Sequence, residues 1–228
     1  MQGDATFQPL FDTALEIDDA GLLALQRGGE TVIDDRDLAL FQHRNRIALA
    51  HGPVSQLGAL PDDPGADHFD IPLLCVVHPS QGCHFRSTRL IVDLKATPGA
   101  LVRDMAPRDV RGESPVELTT TVSTGMTFEV IAGAGGEARR ERTATRTVYH
   151  PQILASGRGF ARAFWDFRST PGEHLHSERE LRMLVSAPPG AQLLVRFNLL
   201  AQVALEGSGR IIPLLRKRHE IDQTHRLA

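Results

Sequence analysis

The sequence predicts a mainly all-β protein, a two-sheet β-sandwich with long antiparallel strands. Three observations carry that reading. Pro115 to Ile131 keeps a period of 2, with Val116, Leu118, Val122, Met126, Phe128 and Val130 on one parity and Glu117, Thr119, Thr121, Ser123, Thr127 and Glu129 on the other. Leu193 to Leu205 is apolar at every odd position, with Gln192, Arg196, Asn198, Gln202 and Glu206 on the even side. Both runs far exceed the usual strand of roughly 5–6 residues. Glycine and proline separate the runs, and no helical stripes alternate with them, so packed sheets are expected in place of βαβ units.

The N-terminal region is the ambiguous one. Phe11, Leu15, Leu22 and Leu25 suit a helical stripe ended by Gly28-Gly29. Leu15 to Ile17, a turn at Asp18 to Gly21, and Leu22-Leu23 suit two strands equally well. Asp34 to Asp37 offers an N-cap for a short helix from Leu38 to His43, so this less regular region holds one or two short helices. Leu60 to Gly65 (LPDDPG) is a loop. Ile71 to Val77 and Phe85 to Leu94 flank Pro79 to Gly82 and read as strands joined by a hairpin turn. Glu137 to Tyr149 returns from the Ala132 to Gly136 tip as the second arm of a long hairpin. Gly159 to Phe167 places Ala161, Ala163, Trp165 and Phe167 on one face, and Leu181, Met183 and Val185 continue the alternation. Ile211 to Leu215 is a final strand, which Pro213 marks as an edge. The chain divides into a mixed region at 1–65 and a β-sandwich domain at 66–228.

Composition bounds function. The 228 residues suffice for one large domain or two small ones. Hydrophobic residues at 41% and charged residues at 23% suit a globular protein and exclude wholesale disorder. A net charge of -3 gives no global field to recruit nucleic acid or an anionic membrane. The 23 Arg against 2 Lys match the bias of GC-rich bacterial coding. Met1 to Asp19 carries five acids and no Lys or Arg, which does not fit a signal peptide, and no apolar run reaches membrane-spanning length. With two cysteines that would not oppose each other across a Pro79 to Gly82 hairpin, a reduced, cytoplasmic protein is expected.

Four segments carry side chains suited to chemistry. In Gly172 to Glu180 (GEHLHSERE), His174 and His176 share one face of a strand and Glu180 follows four residues later. His-x-His-x3-Glu resembles the metal-binding motif of cupins, which implies a small β-barrel holding a divalent metal through His174, His176 and Glu180. Leu193 stands where that family has its fourth ligand, and Arg168 where it has a glycine. Cys75, His78, Cys83 and His84 have zinc-like spacing, but Cys75 lies in an apolar run and Cys83 and His84 alternate to opposite faces. Gly133 to Ala138 fits G-x-G-x-x-A, yet the Thr-rich segment that follows lacks the helix a dinucleotide site requires. Arg139, Arg140, Arg142 and Arg146 form a basic patch on the return arm, suited to an acidic partner surface; without aromatic residues for base stacking it does not suit nucleic acid.

These readings converge on a non-catalytic β-sandwich that binds a protein partner or self-associates, with no cofactor and no small-molecule ligand expected. Two alternatives stand beside it. In length, Thr/Ser content and glycine tip, the 115–149 hairpin resembles the membrane-inserting hairpins of aerolysin-like toxins, which implies a pore-forming protein. Against this, three arginines share one parity of the return arm, and each costs about 2–4 kcal/mol facing lipid at the midplane. The second alternative is a cupin-like metal-dependent enzyme using His174, His176 and Glu180.

Overall fold

The computed structural model describes residues 7–30, 45–58, 60, 63–125, 139–169, 175, 178–206, 210–216 and 223–228, with side chains for all of these except 112–125, 139–151 and 178. In chain order the elements are β1 (Gln8–Ile17), α1 (Asp19–Arg27), β2 (Arg46–His51), β3 (Ser55–Gln56), β4 (Asp67–His78), β5 (Cys83–Asp93) and β6 (Leu101–Ala106). They continue with β7 (Asp109–Gly125), β8 (Arg139–Ser156), β9 (Arg162–Arg168), β10 (Glu178–Ala187), β11 (Leu194–Leu205), β12 (Ile211–Arg216) and β13 (Thr224–Arg226). Two compact units result: Met1–Val110 with Gln152–Ala228, and Arg111–Pro151. The second is the paired arms of β7 and β8.

The all-β expectation holds. In the first unit the strands follow the order β6-β10-β4-β2-β1-β12-β11-β5-β9 and then the last residues of β8, with β3 against β4 and β13 against β11. Hydrogen bonding makes this one continuous curled antiparallel sheet. Strand β1 is the joint: Gln8 to Ala14 pair with β2, while Leu15 to Ile17 pair with β12. A strand that changes partners part-way turns the corner between two directions of a sheet.

The curl is forced by the connection between β4 and β5. Five inter-strand steps separate them along the sheet, about 24 Å if the sheet were flat. Pro79 to Gly82 can span only about 17 Å from His78 to Cys83 even when fully extended. These four residues therefore cross from one half of the sheet to the other, and the expected hairpin between 71–77 and 85–94 is replaced by this crossing. Apolar residues lie on both strands because each faces the shared interior. Asn45 pins the crossing, its Oδ1 accepting from Ser80 N at 2.9 Å and its carbonyl from Leu15 N at 3.0 Å. On the far side, Val102 N of β6 donates to Phe160 O at 3.0 Å and Gly159 N to Val102 O at 2.7 Å, bringing β6 to the start of β9.

One core fills the curl. Val195, Phe197, Leu199 and Val203 are fully buried, as the odd-position alternation predicts. Trp165 and Phe167 are buried as well, with β5 between them and β11: Trp165 pairs with Leu90 and Leu90 with Leu199. Ile47, Leu49, Ile71, Leu73 and Met183 close the core from the other half.

At the ends of the chain one open alternative is resolved and one expectation is corrected. The N-terminal stripe divides, residues 8–17 forming β1 and 19–27 forming α1. The helix expected at Leu38 to His43 lies outside the described residues. Strand β12 is not an edge, for it lies between β1 and β11. Pro213 is tolerated because the β1 pairing ends at Ile17 opposite Leu214, one residue short of it, so no ladder N–H is needed on that side. Its carbonyl accepts from Asp18 N at 3.0 Å as the chain turns into α1.

Arg216, at the end of β12, is fully buried, with its guanidinium 3.8 Å from the Phe11 ring centroid and Nη1 donating to Phe197 O at 2.9 Å. The His225 ring is 5.9 Å from that of Phe197 and 6.4 Å from that of Phe11. Burial first, then the positive fields of Arg216 and His51, lower its pKa from the usual histidine range. A base weakened by folding is protonated first in the unfolded chain, so its neutral form stabilises the fold above about pH 6.5, and that contribution is lost as pH falls through the folded value. The urea midpoint should drop between pH 7.5 and pH 5. The drop should be smaller in His225→Gln, and an unchanged pH dependence in that variant would remove His225 from the account.

Candidate functional groove beneath helix α1

The outer face of β9, β5 and β11 carries the polar parity of those strands, and β12 adds Pro213 and Leu215 to it. Their registers set two rows across the sheet. One runs Asp166, Arg89, Leu200 and Leu215; the next runs Arg168, Ser87, Gln202 and Pro213. Helix α1 crosses this face. Asp19 in its first turn and Arg27 in its last complement the helix dipole, and Gly29 at φ 77 ends it. Gly21 lets it approach β12, since an added Cβ would stand 3.2 Å from Pro213 Cβ and 2.5 Å from Asp18 Oδ2. Yet none of the helix residues is buried. Between helix and sheet an open groove of about 670 Å³ remains, walled on the helix side by Asp18, Leu25 and Glu30.

Its charges fall into two groups. Arg89 is committed to Asp166, with Nε to Oδ1 at 2.6 Å and Nη2 to Oδ2 at 2.7 Å, and its guanidinium stacks 4.4 Å from the Phe164 ring centroid. The hydrogen bonds to Asp166 raise the Arg89 pKa further. This planar, two-pronged contact is the strong form of the pair. Among the described residues the Arg86 side chain meets only Glu30, at 3.7 Å, with both side chains about half exposed, a pair of little energetic consequence. Arg168 is exposed and makes no ion pair or hydrogen bond among the described residues. The side chains of Ser87 and Gln202 beside it likewise make no hydrogen bond among them.

The residues singled out from the sequence fall elsewhere. His174 and His176 lie outside the described residues; Glu180 is exposed on β10, opposite Leu74. Among the described residues no three His, Cys, Asp or Glu side chains converge as metal ligands. Cys75 and Cys83 are buried and free, on strands in opposite halves of the curl, and burial pushes the Cys75 thiol up to about 12, which disfavours the thiolate a metal needs. His78 is exposed at the end of β4. Gly133 to Ala138 lie outside the described residues. Arg139, Arg140, Arg142 and Arg146 all fall on β8.

The groove was not found from sequence. Its signal, opposite charges on the polar parities of 85–94 and 159–167, is visible only once β5 is known to pair with β9.

No family model matches the chain, and no curated protein matches it. Among solved structures it is similar to Clostridium perfringens delta-toxin at 8% identity and a TM-score of 0.34, over 80% of this chain and 82% of that one.

Proposed function

We propose that the protein is a non-catalytic assembly module, its curled sheet serving as a two-layer β-sandwich scaffold and its chains associating through the β7–β8 arms. The observation that supports this is the edge strand. β7 runs for 17 residues, ends the strand order, and pairs only with β8 among the described residues. An edge of that length presents a row of backbone donors and acceptors, a template for another strand of a second copy or a protein partner. The arginines of β8 add charge that would steer docking onto an acidic surface.

Hydrogen exchange at two protein concentrations tests it. Amides of Thr119 to Gly125 should exchange slowly when the chain is concentrated and faster when it is dilute, in step with the sedimentation-derived oligomer fraction. Exchange independent of concentration, in a chain that sediments as a monomer, would count against self-assembly and leave a separate protein partner to be sought by the same protection.

A second reading is supported by the lengths of the arms. At 17 and 18 residues, β7 and β8 exceed the roughly 9–11 residues a tilted strand needs to cross a bilayer. In this reading, associated chains insert the 115–149 hairpin and release dye from liposomes. Retained dye at concentrations where the chain associates would exclude insertion and leave the assembly reading standing.

A further inference from the structure

We infer that the groove beneath α1 binds a small hydroxylated anion, its phosphate or carboxylate held by Arg168 and Arg86 and its hydroxyls by Ser87 and Gln202. The observation behind this is an unspent polar row. Arg168, Ser87 and Gln202 stand side by side on β9, β5 and β11, so the row spans about 10 Å. None of the three side chains has a hydrogen-bonding partner among the described residues. The next row shows the contrast, since Arg89 and Asp166 there satisfy each other. Structural ion pairing thus uses up one row and leaves the other with a guanidinium, a hydroxyl and an amide facing the same concavity. Guanidinium matches phosphate and carboxylate in a planar fork, and the hydroxyl and amide both donate and accept, as sugar-like hydroxyls require. At about 670 Å³ the groove has the size of a small-molecule site, and Leu25 and Leu200 supply an apolar wall.

Glu30 gives the inference a sign. Its carboxylate lies 3.7 Å from Arg86, where the ligand's anion would sit, and acts as a weak internal competitor. Removing that charge frees Arg86 and lowers the negative potential of the groove. Binding should therefore tighten when Glu30 is neutralised and weaken when Arg168 is.

Isothermal titration of the full chain in HEPES, with glycerol 3-phosphate and gluconate as soluble probes, reads this directly. Co-sedimentation with phosphatidylcholine vesicles containing phosphatidylinositol presents the same pairing of phosphate and hydroxyls in a lipid. Arg168→Gln should weaken binding about tenfold or more, and Glu30→Gln should strengthen it severalfold. Both positions are solvent-facing, and unchanged melting temperatures would confirm that the variants fold. A soluble probe with that pattern supports the site as one for a free small anion. The same pattern with vesicles alone supports the site and assigns its ligand to a lipid headgroup. Absence of binding to all three probes, binding indifferent to Arg168→Gln, or weaker binding in Glu30→Gln would overturn the inference.

Discussion

Phe197→Ala is expected to destabilise the first unit by about 3–5 kcal/mol, read as a lowered urea midpoint with little change in slope. The ring is fully buried near the start of β11, where Phe197 pairs with Val92 of β5. Its loss removes the transfer free energy of the ring and leaves a cavity that the neighbouring strands cannot collapse into without giving up their ladders. The backbone carbonyl of the same residue accepts from Arg216, so a cavity here also loosens the packing around a buried guanidinium and the His225 ring. Phe197→Leu should cost distinctly less, because most of the volume remains. Near-equal stability of Phe197→Ala and the parent chain would mean that β11 does not face the core.

Gly157→Ala should cost about 3 kcal/mol, and the paired substitution Gly159→Ala should cost about 1 kcal/mol. Both glycines have positive φ, 111 and 82, in the short connection between β8 and β9. They differ in surroundings. A Cβ on Gly157 would stand 2.4 Å from Ala163 Cα and 2.6 Å from Arg162 O, both backbone atoms that cannot swing aside, whereas a Cβ on Gly159 meets nothing within 4 Å. The difference between the two variants combines the clash at Gly157 with its more extreme φ. The turn also matters beyond itself, because Gly159 N and Phe160 O are the groups that tie β6 to the start of β9. Equal effects in thermal melts would show that the connection relaxes and that the close approach at Gly157 is not rigid.

What the sequence determined by itself is the local period. The odd positions from Leu193 to Val203 are buried because the pleat sends alternate side chains to opposite faces, whatever lies on the other side. Trp165 and Phe167 follow the same rule. The β1–α1 region is ambiguous in sequence because Leu15, Leu22 and Leu25 satisfy both periods, and only pairing settles it: Leu15 and Ile17 have a partner strand in β12, and residues 19–27 have none. Pairing across long sequence separations is what single-chain patterns do not encode, since any strand with an apolar face fits against any other. For that reason the pattern of Pro79 to Gly82 reads as a hairpin although the segment joins the two halves of the sheet, and that of Pro213 reads as an edge although a second strand stops one residue before it. The groove belongs to the same class. Its arginines, serine and glutamine come from β9, β5 and β11, which lie far apart in the chain. Only the registers of those strands decide which charges neutralise one another and which face the open space beneath α1.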